Sequence, residues 1–200
     1  MPKIIKGQAA ILSPDQFKRL LNIVSSSMHA KRNKLIVLLS FGTGMRSLEI
    51  AALKVKDVID HKGDVIEEVM LKRTKGNKPR PIFLAEPKLK KAILDYIEER
   101  KAKQKKLAFS YEQPLLMSQK KKGFSANNIQ KLFEELYRKC GLTGCSSHSG
   151  RRTFATRLSE QGTDIKTIMT LMGHSSPAMT ARYIDTNPIR MKRVLAKVLY

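Results

Sequence analysis

Three segments of this 200-residue sequence combine residue types and spacings suited to holding an anion. In TGMRSLEIAAL, residues 43–53, Arg46 follows a glycine turn and stands at the start of a short helix. Free backbone amides and a guanidinium can there point the same way, which suits a phosphate or carboxylate. A plain surface arginine at a helix start fits that segment equally well. In HSGRRTFATRL, residues 148–158, His148 and Arg151 are three apart and share one face of a helical turn. Such a pair can hydrogen-bond two oxygens of one phosphate, although His-x-x-Arg alone is a weak signal. In LMGHSSPAMTARYI, residues 171–184, His174 follows a helix-ending glycine and Tyr183 lies nine residues later on the next helix. A helical tyrosine is more often a half-buried core residue, so Tyr183 acquires a chemical reading only from the rest of the set.

The elements that must position these groups are legible from periodicity and punctuation. Ser13-Pro14-Asp15 opens a helix with Ser13 as N-cap, and Phe17, Leu20, Leu21 and Val24 give it one apolar face. A buried helix around Asn33–Phe41 is broken at Gly42-Thr43-Gly44 and followed by a short helix near Ser47–Leu53. Residues 55–84 carry short β-prone runs, Val58-Ile59, Val65-Ile66 and Val69-Met70-Leu71, with Arg80–Leu84 completing a small antiparallel sheet. Helical patterns return with Leu89, Ala92, Ile93, Tyr96 and Ile97, and again with Ile129, Leu132, Phe133 and Leu136. The lysine runs at 101–106 and 120–122 read as solvated loops, some within reach of phosphate. Thr163 is expected to cap a helix striped by Ile165, Ile168, Met169 and Met172, with Gly173 ending it. Ser176-Pro177 starts the helix expected to carry Tyr183, and Asn187-Pro188 starts an amphipathic tail striped by Met191, Val194, Leu195, Val198 and Leu199. The sum is a mainly α chain with a small antiparallel β-sheet, an α+β domain preceded by a basic arm over residues 1–12.

Charge narrows the partners. Lys and Arg number 39 against 17 Asp and Glu, a formal net charge of +22. Such an excess repels itself unless a polyanion neutralises it, and DNA is the commonest. Composition alone equally admits a ribosomal or RNA-binding protein. Aromatic content of 6 % without Trp weighs against a single-strand binder built on stacking platforms. Cys140 and Cys145 are too few for a disulfide framework or a zinc site. They fit buried thiols of a reducing compartment, and the N-terminus shows neither a signal peptide nor a membrane span. The expectation is an intracellular, cytoplasmic protein that acts on DNA, with no membrane partner.

Read together, the segments resemble one family. Gly-Met-Arg-x-x-Glu-Ile, a lysine in a strand hairpin, His-x-x-Arg, Leu-x-Gly-His and a Tyr nine residues later stand in the order found in tyrosine recombinases, the lambda-type integrases. The resemblance spans residues 13–186 and implies the catalytic-domain fold of that family. It also implies roles: Arg46 as the first catalytic arginine, Glu49 as the acid that steadies it, and Lys75 as the hairpin lysine that protonates the leaving 5′ oxygen, ahead of Lys72 and Lys78. His148 and Arg151 match the paired second motif, His174 the following position, and Tyr183 the nucleophile. Gly150 departs from the family's usual leucine, and a glycine there is expected to loosen local packing without removing a catalytic group. The family's N-terminal core-binding domain is not seen ahead of residue 13, so an accessory DNA-binding protein is an expected partner.

The implied reaction is site-specific cleavage and rejoining of double-stranded DNA through a 3′-phosphotyrosyl bond. A tyrosine with a pKa of about 10 is a poor nucleophile at neutral pH. Arginines and a histidine on the non-bridging oxygens supply the electrostatic help, and Lys75 acts as general acid. The ester conserves the phosphodiester energy, so neither ATP nor a metal cofactor is required. Relatives assemble as homo-tetramers on DNA and pass a C-terminal segment like residues 187–200 to a neighbour. A catalytically silent DNA-binding regulator on the same fold is the alternative, although every catalytic position here is filled.

Overall fold

Residues 8–72, 79–103, 109–119, 122–181 and 196 are described by a computed structural model of the chain. The first helix, α1 (Pro14–Ser25), starts where the sequence places it. The Ser13 side chain accepts from the Gln16 amide and the Gln16 side chain accepts from the Ser13 amide, a reciprocal capping box. Ahead of it, residues 9–12 lie against the rest of the chain: the Ala10 amide donates to the Gly144 carbonyl (2.8 Å) and the Leu12 amide to Thr153 Oγ1 (3.1 Å).

Helix α2 (Ala30–Thr43) is buried along most of its length, including Leu35 through Phe41. An all-round apolar helix must be enclosed, and α1, α5 (Pro87–Lys103) and α7 (Ser149–Glu160) pack on it. Gly44 ends α2 at φ 63°, where a Cβ would also sit 2.6 Å from Phe154 Cδ1. A left-handed cap under an aromatic ring requires glycine. The chain then turns into α3 (Ser47–Ala52), which packs on α6 (Ala126–Lys139).

Residues 55–84 are less β-rich than their composition suggests. Val55–Val58 form a short helix, α4, because Asp57 Oδ2 accepts from the Lys54 amide (2.8 Å) while Val55 and Val58 fill the core. A local cap plus burial here overrides β-branched propensity. The Ile59 and Val65 runs meet at only one antiparallel bridge. The sheet proper has two antiparallel strands, β1 (Glu68–Leu71) and β2 (Arg80–Phe83), in register Val69↔Ile82 and Leu71↔Arg80. Period-two alternation turns Val69, Leu71, Arg80 and Ile82 inward and leaves Met70 and Phe83 exposed.

Helix α8 (Ile165–Met172) packs on α7 through Ala155, Ile168 and Met172, with Phe154 and Leu158 at the margin. Its N-cap is Asp164 rather than Thr163: the Asp164 carboxylate accepts from the Thr167 amide at 2.9 Å, and a negative charge suits a helix N-terminus better than a hydroxyl. Gly173 ends α8 at φ 60°, as expected, and α9 (Pro177–Ala181) follows. Lys101–Lys103 continue α5 and are not a loop. The expected tail helix at 187–200 lies outside the described residues, Ala196 apart. Among the described residues no helix is long and apolar enough to cross a membrane.

Candidate active site

Arg46 sits at the corner between α2 and α3, as the N-cap residue of α3. Its amide donates to Glu49 Oε2 (2.8 Å) and its Nη1 to Glu49 Oε1 (2.9 Å). The same carboxylate takes a second guanidinium. Arg80, inward-facing on β2, donates from Nη2 to Oε2 (2.7 Å) and from Nε to Oε1 (3.3 Å). Glu49 and Arg80 are both buried, whereas Arg46 keeps part of its side chain at the surface. Burial by itself would raise the Glu49 pKa. The Arg80 hydrogen bonds and charge, joined by the Arg46 amide and charge, outweigh it and hold the carboxyl below its ordinary value.

The far side is built by α7 and the end of α8. Arg151 is 1 % exposed. Its Nη1 donates to the Gly44 carbonyl (2.6 Å) and its Nη2 to the Met172 carbonyl. Arg80 Nη1 donates to the neighbouring Leu171 carbonyl. Two guanidiniums thus cap the carbonyl end of α8, where the helix dipole is negative. A guanidinium has five N–H donors, so these anchors orient Arg151 without exhausting it. His148 is the exposed N-cap residue of α7, one turn before Arg151.

His174 follows Gly173 and is buried at 7 % exposure, with its Nδ1 2.9 Å from Thr180 Oγ1. Burial pushes its pKa down to about 4, and the charges of Arg151, Arg46 and Arg80 push the same way. His174 is therefore a neutral imidazole at physiological pH. Arg151 and Arg80 hold the Met172 and Leu171 carbonyls just before it, and Arg46 shares Glu49 with Arg80. The structure thus gathers Arg46, Glu49, Arg151 and His174 from segments far apart in sequence. Lys75 and Tyr183 lie outside the described residues, as does Lys78, while Lys72 is exposed just past β1.

Two residues at this site, Arg80 and Thr180, are not singled out by the sequence. Arg80 could have been found by alternation, since a hairpin in which Ile82 faces inward also turns residue 80 inward. Thr180 had no signal beyond its type. Gly150, expected to loosen local packing, instead permits a tight helix contact. A Cβ at 150 would meet Ser40 Oγ at 2.2 Å and Phe41 Cδ2 at 2.9 Å, so glycine lets α7 lie directly on α2. This crossing sets the spacing between Arg151 and the Gly44–Arg46 corner. Gly150→Leu should cost about 1–3 kcal/mol by overpacking, read as a lower urea midpoint, and Ser40→Gly should recover part of it. An unchanged midpoint in Gly150→Leu would show that the helices separate at no cost.

Known proteins share the sequence pattern and the fold of this chain. The sequence pattern of the phage integrase family matches residues 10–190. Tyrosine recombinase XerA of Pyrococcus furiosus is 29 % identical over 200 residues, covering 98 % of this chain and 64 % of that protein. XerA of Thermococcus kodakarensis is 30 % identical, covering 98 % and 65 %. The chain thus spans just under two thirds of the length of these relatives. A crystal structure of XerA recombinase superposes with a TM-score of 0.75 at 27 % identity, covering all of this chain and 67 % of that one. XerH recombinase bound to a palindromic difH substrate shares the fold, with a TM-score of 0.75 at 23 % identity. On the pattern match alone, which takes in all of the described site, the chain belongs to the phage integrase family, the tyrosine recombinases.

Proposed function

We propose that this chain is the catalytic part of a site-specific recombinase that cleaves and rejoins double-stranded DNA through Tyr183. The observation that carries the reading is that hydrogen bonds draw Arg46, Arg151 and the His174 end of α8 to one corner of the fold, Arg151 spanning the Gly44 and Met172 carbonyls and Arg80 joining Glu49 to Leu171. Arg46, Arg151 and His174 are the set needed to hold the non-bridging oxygens of a phosphodiester. The Tyr183 oxygen attacks phosphorus, and the bond to the 5′ oxygen breaks. Lys75 gives that oxygen its proton, leaving a 3′-phosphotyrosyl ester and a free 5′ hydroxyl. Arg46 and Arg151 balance the charge that develops on the equatorial oxygens. Neutral His174 contributes a hydrogen bond and no charge, while exposed His148 approaches the phosphate from the start of α7. Attack by a different 5′ hydroxyl reverses the step and yields a recombinant strand.

The excess of basic residues, +22 overall, supports DNA as the polyanion. Residues 13–186 form the catalytic domain in this reading, residues 1–12 a basic arm, and residues 187–200 a helical tail exchanged between subunits of a tetramer on DNA. A duplex nicked just beyond the scissile phosphate tests both parts. Loss of the short 5′ fragment should trap a covalent protein–DNA adduct, and paired sites should yield a slower-migrating synaptic complex. Failure to trap an adduct on any family-type site would leave only a DNA-binding reading. A synaptic complex that survives removal of residues 188–200 would rule out tail exchange.

A further inference from the structure

The geometry points to Thr180 as the positioning residue that orients the His174 ring. The inference rests on the recombinase reading for its consequence but on the structure for its premise. Thr180 is fully buried on α9, and its hydroxyl lies 2.9 Å from His174 Nδ1. The bond joins residues six apart and so closes the turn between the end of α8 and α9. Its two ends are otherwise held differently. His174 hangs from the end of α8: its amide donates to the Met169 carbonyl, and Arg80 and Arg151 grip the adjoining carbonyls of Leu171 and Met172. Thr180 lies on α9, which packs on α8. The Thr180–His174 bond is thus a buried polar link between the anchored end of α8 and α9.

The chemical consequence concerns the imidazole. A neutral ring carries one N–H and one lone pair, and the partner of one nitrogen selects the tautomer at the other. Where the Thr180 hydroxyl donates to Nδ1, the ring proton sits on Nε2, which in this proposal donates to a phosphate oxygen in one orientation. A buried threonine that merely satisfied its own hydroxyl would have no effect on that selection.

Thr180→Val removes the hydroxyl at constant shape, and Thr180→Ser restores it. In single-turnover trapping on the nicked duplex, the valine variant of the full chain should form adduct about 10- to 100-fold more slowly, the cost of a small misplacement of reacting groups. DNA affinity should stay within about twofold, because no charge is lost, and the serine variant should recover most of the rate. A nitrogen-15 correlation spectrum of the histidine rings supplies a readout that needs no activity. At pH 7 the wild type should show His174 as one tautomer, and Thr180→Val a mixture. Identical ring spectra in wild type and Thr180→Val overturn the proposal, even if the wild type forms no adduct and the recombinase reading itself fails. Wild-type adduct rates in the valine variant also overturn it, as does a serine variant as slow as the valine one.

Discussion

Tyr183→Phe should lower covalent adduct formation by on the order of 10⁴-fold or more, to the limit of detection, as expected for removal of a nucleophile that nothing replaces. DNA binding should change less than about twofold, because the lost hydroxyl is uncharged and phosphate affinity comes from the basic side chains. The structure makes this a sharp test by disqualifying other tyrosines. The sequence holds five, Tyr96, Tyr111, Tyr137, Tyr183 and Tyr200. Tyr137 is 2 % exposed and stacks on Phe133, and burial pushes its pKa far up. Tyr96 is likewise buried, with its oxygen accepting from the Met117 amide and its pKa raised by burial. Neither can reach a phosphate, and both resist deprotonation. Tyr111 packs edge-on against Phe109 beside α4. Adduct that persists in Tyr183→Phe and disappears in Tyr200→Phe would move the nucleophile to the other end of the tail. The rate of the wild type should also lack an inflection near pH 6.5 from His174, since that ring titrates at about pH 4 in the free protein.

The contrast between what could and could not be foreseen follows the range of each interaction. Caps act over three or four residues, so Ser13, the Gly42–Gly44 break and Gly173 were readable in the string. Helices with a regular apolar stripe, such as α5 and α6, were equally clear. Val58, expected in a β-prone run with Ile59, ends the α4 turn because it owes its conformation to the core and to Asp57, not to its own preference. The order of Arg46, His148, Arg151 and His174 pointed to one site, but nothing local says that Arg151 is anchored on Gly44, 107 positions away. Arg80 is more instructive: its partners, Glu49 and Leu171, are 31 and 91 positions distant. Gly150 looked like a defect until Ser40 was found pressed against it. A residue whose purpose lies on another element cannot be understood from its own segment.

Arg80 also gives Glu49 its second large consequence. Glu49→Ala leaves the Arg80 guanidinium buried without its carboxylate and releases Arg46 from the contact that orients it. Breaking one member of a buried pair costs about 3–5 kcal/mol, which in a chain of this size lowers Tm by roughly 6–20 °C. Adduct formation should fall even at temperatures where the variant is folded, because Arg46 loses its guide. The burden lies in the orphaned charge, so Glu49→Ala combined with Arg80→Met should be less destabilised than the sum of the two single variants, a coupling visible in a double-mutant cycle. The pH dependence has a definite sign. Glu49 has a folded pKa below the ordinary 4.5, so its contribution is complete above about pH 4.5 and disappears as pH falls through the folded value. His174 acts in the preceding window. Its folded pKa of about 4 lies below the ordinary 6.5, so the unfolded chain takes up a proton that the folded one refuses, and stability declines from pH 6.5 toward 4. Urea midpoints measured between pH 3.5 and 8 should therefore fall in two successive stages. Glu49→Gln, which keeps the shape and cannot titrate, should flatten the lower stage and leave the upper one in place. A lower stage that persists unchanged in Glu49→Gln would mean that another carboxylate governs acid stability and that the Arg46–Glu49–Arg80 cluster is electrostatically minor.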